Sequence, residues 1–372
     1  MGEELRDDIY IENADELTEL KYSDNEERPI FESVRVTKKD FSVFELFRKY
    51  NNGKLILDVD FQRNFVWNSK QQSELLESIL MGLPLPIFYF KQQDDSTYVV
   101  VDGKQRLSAL FAFLDNKFAL KNLKILTFLN GKKYMDLESK YGIYQSQLED
   151  YQIYSHVILP PTPDKVIFDI FDRVNRGGTQ LNKQEIRNAL YHGQGLNIMN
   201  GITLTQEFQK ATRIDSKKDK RMKGTYLLTR FFAFFLLYND YLGANCRYDG
   251  DIDGLIEKTL VYMNKCGNVI YTLKEIAMES LRKAYILLGN GCFRKELNAS
   301  NPINMNIFET CMYLMTLVED NSLTIEMKNL FYQTITSEMF LHCIGDSRDS
   351  VYKVDMRFRM MDEIAKEIKN DF

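Results

Sequence analysis

The stretch Thr97-Tyr98-Val99-Val100-Val101-Asp102-Gly103-Lys104-Gln105-Arg106-Leu107 decides the fold. Its first half is β-branched and aromatic, the composition of a strand. Its second half opens a helix, because Leu107, Leu110, Phe111 and Leu114 recur at helical spacing. Upstream, Ile87 to Lys91 is another β-rich run, and the polar Gln92 to Ser96 between the two runs predicts a hairpin. Hairpin, Asp102–Arg106 turn and helix form the best-defined unit in the chain.

Outward from this unit, Leu75, Leu76, Ile79 and Leu80 predict an earlier helix. Ser69 with Gln72 three residues on reads as its capping box, Gly82 ends it, and Pro84 and Pro86 prevent its resumption. Arg35 to Tyr50 reads as a short strand or helix start, and Asp58 to Phe61 as extended. Residues 1–30 are acidic, with few large apolar side chains, and read as a loosely packed arm. Lys121 to Gln152 shows no clear period. Pro160, Pro161 and Pro163 form the clearest linker, which divides the chain into domains at 31–160 and 161–372. Beyond it, Ile167, Ile170, Phe171 and Val174 make one apolar helical face, and Asn182 with Glu185 makes a second capping box. Helical spacing returns at Leu227 to Tyr241, Leu255 to Met263, Leu273 to Leu288, Ile307 to Glu319 and Met356 to Ile368. The fold class expected is α+β, with an α/β first domain and a mostly α-helical second.

Composition excludes several classes. Lys plus Arg is 48 and Asp plus Glu is 53, so the net charge is −5 and any contact with DNA must come from a local patch. The 5 cysteines form no CxxC pair, which argues against a disulfide scaffold or zinc ribbon and fits a reducing cytoplasm. The 3 histidines stand far apart, so a histidine-rich metal site is not expected. The acidic start gives no signal peptide, and the longest aromatic-aliphatic run, Phe231 to Tyr238, falls short of the roughly 20 residues a membrane span needs. The 25 Phe and 21 Tyr either fill cores or present an interaction surface, including one for a second copy of the chain; core is the expectation.

Four motifs carry candidate chemistry. At Asp102–Arg106, Lys104 and Arg106 fall in the first turn of a helix, where the backbone carries roughly half a positive charge and cations cost about 0.3–1 kcal/mol each. A bound anion would reverse that penalty, and Gly103 would let a phosphate approach the backbone. The bland alternative is Asp102 as a plain N-cap with both cations in solvent. In Gln62-Arg63-Asn64-Phe65-Val66-Trp67, Arg63 is either a second phosphate clamp or a surface arginine. In Arg173 to Asn188, the turn Asn175-Arg176-Gly177-Gly178 with Arg187 is either a backbone-lined anion site or a glycine C-cap before the Glu185 capping box. The run Lys210 to Lys223 is either a DNA-backbone patch, with Lys217, Lys218, Lys220, Arg221 and Lys223 at its centre, or a solvated loop.

Taken in order, these motifs resemble the N-terminal domain family of GmrSD-type restriction enzymes, which includes SspE-like proteins. The resemblance runs from about Asp58 to about Leu317. The family hallmark Asp-Gly-Gln-Gln-Arg reads here as Asp102-Gly103-Lys104-Gln105-Arg106. Gln62, Arg63 and Trp67, then Gly82 to Pro86, fit its upstream pattern; Asn175, Gly178, Leu181, Glu185, Arg187 and Asn188 fit its downstream one. The resemblance implies a ParB/sulfiredoxin-like core and nucleoside triphosphate binding with a divalent metal, Mg²⁺. It also implies a role in DNA restriction or phage defence, with NTP hydrolysis and DNA nicking as activities. Asp102, Lys104, Gln105 and Arg106 would be catalytic, Asp102 also the metal ligand. Arg63, Gly103, Asn175, Arg176, Gly177, Gly178, Glu185 and Arg187 would hold phosphate. Two departures stand out. Lys104 replaces the hallmark Gln, and after His192 only His342 follows, so no HNH nuclease half is recognised. The alternative reading is a nucleotide- or DNA-sensing subunit that regulates a separate HNH nuclease.

Overall fold

The computed structural model describes residues 11–12, 34–57, 67–162, 166–167, 170, 182–219 and 221–370. They divide into two compact units, one of residues 20–190 and one of 191–372 together with 1–19. The first described element, β1 (Ile11–Glu12), belongs to the second unit.

The first unit runs β2 (Val36–Ser42), α1 (Val43–Asn51), β3 (Leu55–Ile56), α2 (Ser69–Leu80), β4 (Phe88–Gln92), β5 (Tyr98–Asp102), α3 (Lys104–Leu114), α4 (Leu137–Lys140), α5 (Gly142–Asp150), β6 (Gln152–Ile158) and α6 (Lys183–Leu190). Its sheet has the order β2-β6-β4-β5-β3. The pairs β2/β6 and β4/β5 are antiparallel; β4/β6 and β3/β5 are parallel. The expected hairpin is therefore the centre of a mixed sheet. Strand alternation puts Phe41, Phe88, Phe90, Tyr98, Val100, Ile153 and Val157 on one face. They share a core with Val43 and Leu46 of α1, Leu76 and Ile79 of α2, and Leu107 and Leu110 of α3. Each such side chain contributes about 1.5–3 kcal/mol by leaving water. The sequence reading places α6 beyond the proline linker; in the structure it packs against β5 within the first unit.

Helix α2 is capped one residue earlier than expected. Asn68 accepts the N–H groups of Lys70 and Gln71, each at 3.0 Å, and Gln71 Oε1 accepts the N–H of Asn68 at 3.0 Å. Asn and Ser are about equal as caps, and here Asn68 with Gln71 closes the reciprocal box instead of Ser69 with Gln72. The aperiodic Lys121–Gln152 stretch is held by a side chain from α2. Buried Glu77 accepts the N–H groups of Ile125 at 2.7 Å, Leu126 at 2.8 Å and Lys124 at 3.2 Å.

The second unit is helical: α7 (Gln194–Thr203), α8 (Gln206–Thr212), α9 (Lys223–Tyr238), α10 (Ile252–Lys265), α11 (Val269–Leu288), the short β7 (Ile303–Asn304), α12 (Met305–Leu317), α13 (Ile325–Thr336), α14 (Glu338–Cys343) and α15 (Val351–Asn370). Its axis is α12, buried without a break from Met305 to Met315. Asn304 caps its N-terminus by accepting N–H groups from Asn306 and Ile307, and Lys283 donates to Val318 O at 2.7 Å at its other end. The described part of the N-terminal arm is not loose. Ile11 is apolar and buried, β1 pairs in parallel with β7, and Glu12 accepts from Lys295 at 2.5 Å and from the Asn304 side chain at 3.2 Å. Inside the unit, Arg230 and Arg357 balance Glu309 and Asp349. Arg230 reaches Glu309 at 2.7 Å and Asp349 at 2.6 Å, and Arg357 reaches Glu309 at 2.6 Å. Among the described residues no helix is long and apolar enough to cross a membrane.

Two substitutions check these supports. Burial pushes the Glu77 carboxyl up, but the N–H groups of Ile125, Leu126 and Lys124 outweigh it and hold the group below the ordinary carboxylate value. A lowered folded pKa gives stability that is present above the unfolded value and lost as pH falls through the folded one. Glu77→Gln keeps the shape but not the charge. It is expected to cost about 1–3 kcal/mol at pH 7, with the gap narrowing below about pH 4. Equal urea midpoints for the two proteins at pH 7 would contradict this. Glu309→Gln leaves Asp349 as the one carboxylate facing two buried guanidinium groups, and its expected cost is about 3–5 kcal/mol by urea denaturation; a change under about 1 kcal/mol would sink the network's proposed weight.

Candidate functional site

The turn after β5 is built around a missing side chain. Gly103 has φ +100, in the left-handed region that penalises residues with a Cβ. A Cβ there would also stand 2.2 Å from Phe88 Cδ1 and 2.5 Å from Cε1. β5 can pass directly into α3 only with glycine between them. The consequence is an unusual helix start. No side chain caps α3, and its first turn contains no acid. The first N–H groups of any helix lack intrahelical acceptors and carry partial positive charge. At this end they are joined by Lys104 and Arg106.

Arg106 does not point into solvent. Its Nη2 donates to Asp102 Oδ2 at 2.7 Å and to Ile87 O at 3.4 Å, and its Nη1 donates to Pro86 O. The guanidinium carbon lies 4.0 Å from the centroid of the Phe88 ring. Burial pulls the guanidinium below its ordinary pKa, and the Asp102 carboxylate opposes that shift. Arg106 thus bolts the approach to β4 onto the β5–α3 joint. Asp102 is neither N-cap nor isolated, since one of its oxygens is committed to Arg106. The Gln105 carboxamide oxygen is buried and accepts no hydrogen bond. Among the described residues, no group of three or more His, Cys, Asp or Glu could hold a metal ion. Among the described residues, Asp102 is the carboxylate of this turn.

The other sequence-derived residues fall elsewhere. Asn182 and Glu185 form the expected capping box: Glu185 accepts the N–H of Asn182 at 2.6 Å, and Asn182 accepts that of Glu185 at 2.8 Å. Arg187 is buried on α6. Gln184, which the motif reading passes over, is also buried and donates to Asn188 Oδ1 at 2.9 Å; its i, i+4 spacing to Asn188 is the signal for this pair. Arg63, Asn175, Arg176, Gly177, Gly178 and Lys220 lie outside the described residues. In the second unit Lys217 and Lys218 are exposed, while Arg221 and Lys223 are half-buried. The two acids among these cations shape the backbone. Asp215 accepts the N–H of Lys217 at 3.0 Å, and Asp219 accepts those of Lys223 at 2.9 Å and Gly224 at 2.7 Å, opening α9.

Residues 43–192 match the model of one protein family, described as GmrSD restriction endonuclease, N-terminal domain. The matched segment begins at α1, ends just after α6, and contains the whole Asp102–Arg106 turn with the strands that build it. A GmrSD N-terminal domain points to a protein of a restriction or defence system. The match stops before the basic segment at 210–223 and before α9. No curated protein and no solved structure matches the chain.

The glycine requirement is directly testable. Gly103→Ala is expected to cost about 2 kcal/mol or more, from the left-handed backbone and the clash with Phe88 together. Urea unfolding followed by circular dichroism would measure it; a neutral substitution would mean the turn is not built this way.

Proposed function

We propose that the Asp102–Arg106 turn binds the phosphate groups of a nucleoside triphosphate, and that the chain is a nucleotide-dependent protein of a bacterial restriction or anti-phage system. The observation that carries this reading is the start of α3: glycine at the entry, no capping side chain, no acid in the first turn, and Lys104 within it. A phosphate at that end turns an unfavourable arrangement of charge into a favourable one. In this reading the backbone after Gly103 and the Lys104 ammonium hold phosphate oxygens. Arg106 is a positioning residue that fixes the turn and adds charge from behind. Mg²⁺ suits the turn, because it commonly binds through one or two carboxylates plus substrate phosphates; Asp102 would be its protein ligand, and its chemistry would be charge neutralisation. Gln105 would accept a hydrogen bond from a water in the site. Arg63, Asn175, Arg176, Gly177, Gly178 and Arg187 are proposed to complete the phosphate contacts, while Glu185 is already spent on the α6 cap. Lys217, Lys218, Lys220, Arg221 and Lys223 are the proposed contacts to a DNA backbone.

The commitment of Arg106 to Asp102 and two carbonyl groups favours a second reading. The cation best placed to neutralise charge during phosphoryl transfer is already used by the fold. The chain would then sense nucleotide or DNA and regulate a separate HNH nuclease.

Phosphate release by the full chain, with each of the four NTPs and Mg²⁺, with and without duplex DNA, separates the two readings. Hydrolysis that falls at least about 10-fold in Lys104→Ala supports the NTPase. Nucleotide binding without turnover, weakened by the same substitution, supports the sensor. Neither binding nor turnover with any NTP would overturn the phosphate site on which the NTPase and the nucleotide sensor both rest, leaving DNA sensing alone.

A further inference from the structure

The chain between α3 and β6 buries one set of apolar side chains and shows another. Leu123, Leu129, Leu137 and Leu148 lie in the core of the first unit. Between them in sequence, Ile125 is 65% exposed, Phe128 47% and Ile143 76%. These side chains are not scattered. The Phe128 ring lies 5.7 Å from that of Tyr141 and 5.6 Å from that of Tyr144, both half-buried. Ile125 stands three residues before Phe128, in a turn closed by the Leu129 N–H donating to Leu126 O at 2.9 Å. Ile143 precedes Tyr144 in the first turn of α5. Single exposed apolar residues are ordinary, but a contiguous group marks an interaction site. The backbone beneath the group is fixed. Glu77 takes the N–H groups of Lys124, Ile125 and Leu126, and the Tyr144 N–H donates to Tyr141 O at 2.8 Å. A preformed surface gives up little entropy on binding.

The setting of this patch is cationic. Lys121, Lys124, Lys132, Lys133 and Lys140 belong to the same segment, and among the described residues none of them forms an ion pair. Lys140 Nζ lies 5.6 Å from the centroid of the Tyr141 ring, so positive charge reaches the aromatic cluster itself. The acids of the segment are fewer and partly committed. Asp136 accepts the N–H of Lys133 at 2.8 Å, and Glu149 accepts from the Tyr134 hydroxyl at 2.5 Å. Glu138 and Asp150 remain. In a chain of net charge −5 this is a local reversal of sign.

We infer that this patch docks an acidic, amphipathic segment of a partner protein. Ile125, Phe128 and Ile143 take its apolar side chains, and the lysines meet its carboxylates. A second copy of the chain fits less well, because a two-fold contact sets like patch against like patch and so lysine against lysine. A nucleic acid would meet the lysines but gain nothing from Ile125 and Ile143, which offer bases no ring to stack on. The inference does not rest on nucleotide binding at the Asp102–Arg106 turn.

Fluorescence anisotropy of the full chain tests this with two labelled peptides of about 18 residues, roughly five helical turns. Both carry Leu along one helical face; one carries Glu on the other face, and its counterpart carries Lys there. The Glu peptide is expected to bind saturably at low salt, at least about 10-fold more tightly than the Lys peptide, with an advantage that shrinks as salt rises. Phe128→Ala is expected to weaken it about 10- to 100-fold. Ile143→Ser is expected to weaken it too, at a side chain too exposed for the fold to depend on it; circular dichroism checks both variants. Lys124→Glu combined with Lys140→Glu is expected to remove the preference for the Glu peptide. No binding of the Glu peptide, or equal binding of the two peptides, would overturn the inference. So would binding that ignores Phe128→Ala and Ile143→Ser. Self-association that disappears in Ile143→Ser, without peptide binding, would give the patch to a second copy instead, and oligonucleotide binding lost in that variant would give it to nucleic acid.

Discussion

The chain crosses from β5 into α3 over the flat ring of Phe88, and only a residue without a Cβ can make that crossing. This one steric constraint shapes the candidate site. Because Gly103 takes the N-cap position, no side chain there can satisfy the first N–H groups of α3. Because the crossing is tight, Asp102 and Arg106 end up one helical turn apart and pair across it at 2.7 Å. The Arg106 guanidinium, stacked on Phe88, then ties in the carbonyl groups of Pro86 and Ile87. Strand, turn and helix are thus held by a glycine, a ring and an ion pair. The first turn of α3 contains no acid, and Asp102, just before it, is committed to Arg106.

Much of this was legible in the sequence, and the legible parts share a cause. The hairpin, the Asp102–Arg106 turn and α3 announce themselves because their apolar residues follow a single period and all face one core. Five helices of the second unit, α9, α10, α11, α12 and α15, were readable for the same reason, whereas the shorter α7, α8, α13 and α14 were not singled out. Lys121–Gln152 was not, because its structure comes from a distant side chain: Glu77 of α2 gathers three backbone N–H groups that no local pattern predicts. The Asn68 cap was missed by one residue because Asn68 and Ser69 are adjacent and nearly equal as caps. Within the site, the sequence revealed the residue types but not their commitments. A motif shows Asp102 and Arg106 close together; only coordinates show that they satisfy each other.

The second unit follows a different logic. Its central helix α12 is buried from Met305 to Met315, and its one charged residue, Glu309, meets Arg230 and Arg357 inside the unit rather than facing outward. The acids Asp215 and Asp219 likewise shape the backbone beneath exposed Lys217 and Lys218. Each is a case in which a charged residue that looks functional in the sequence has structural work to do. The cationic surface that remains is smaller than the count of Lys and Arg in that segment suggests.

The central claim is that the uncapped start of α3 is where phosphate binds. The most direct measurement is a ¹⁵N TROSY titration of the full chain with a non-hydrolysable NTP analogue and Mg²⁺. The account predicts that the backbone amides of Gly103, Lys104, Gln105 and Arg106 shift first and furthest, with saturation. Saturable shifts confined to other segments, with those four amides unmoved, would contradict it.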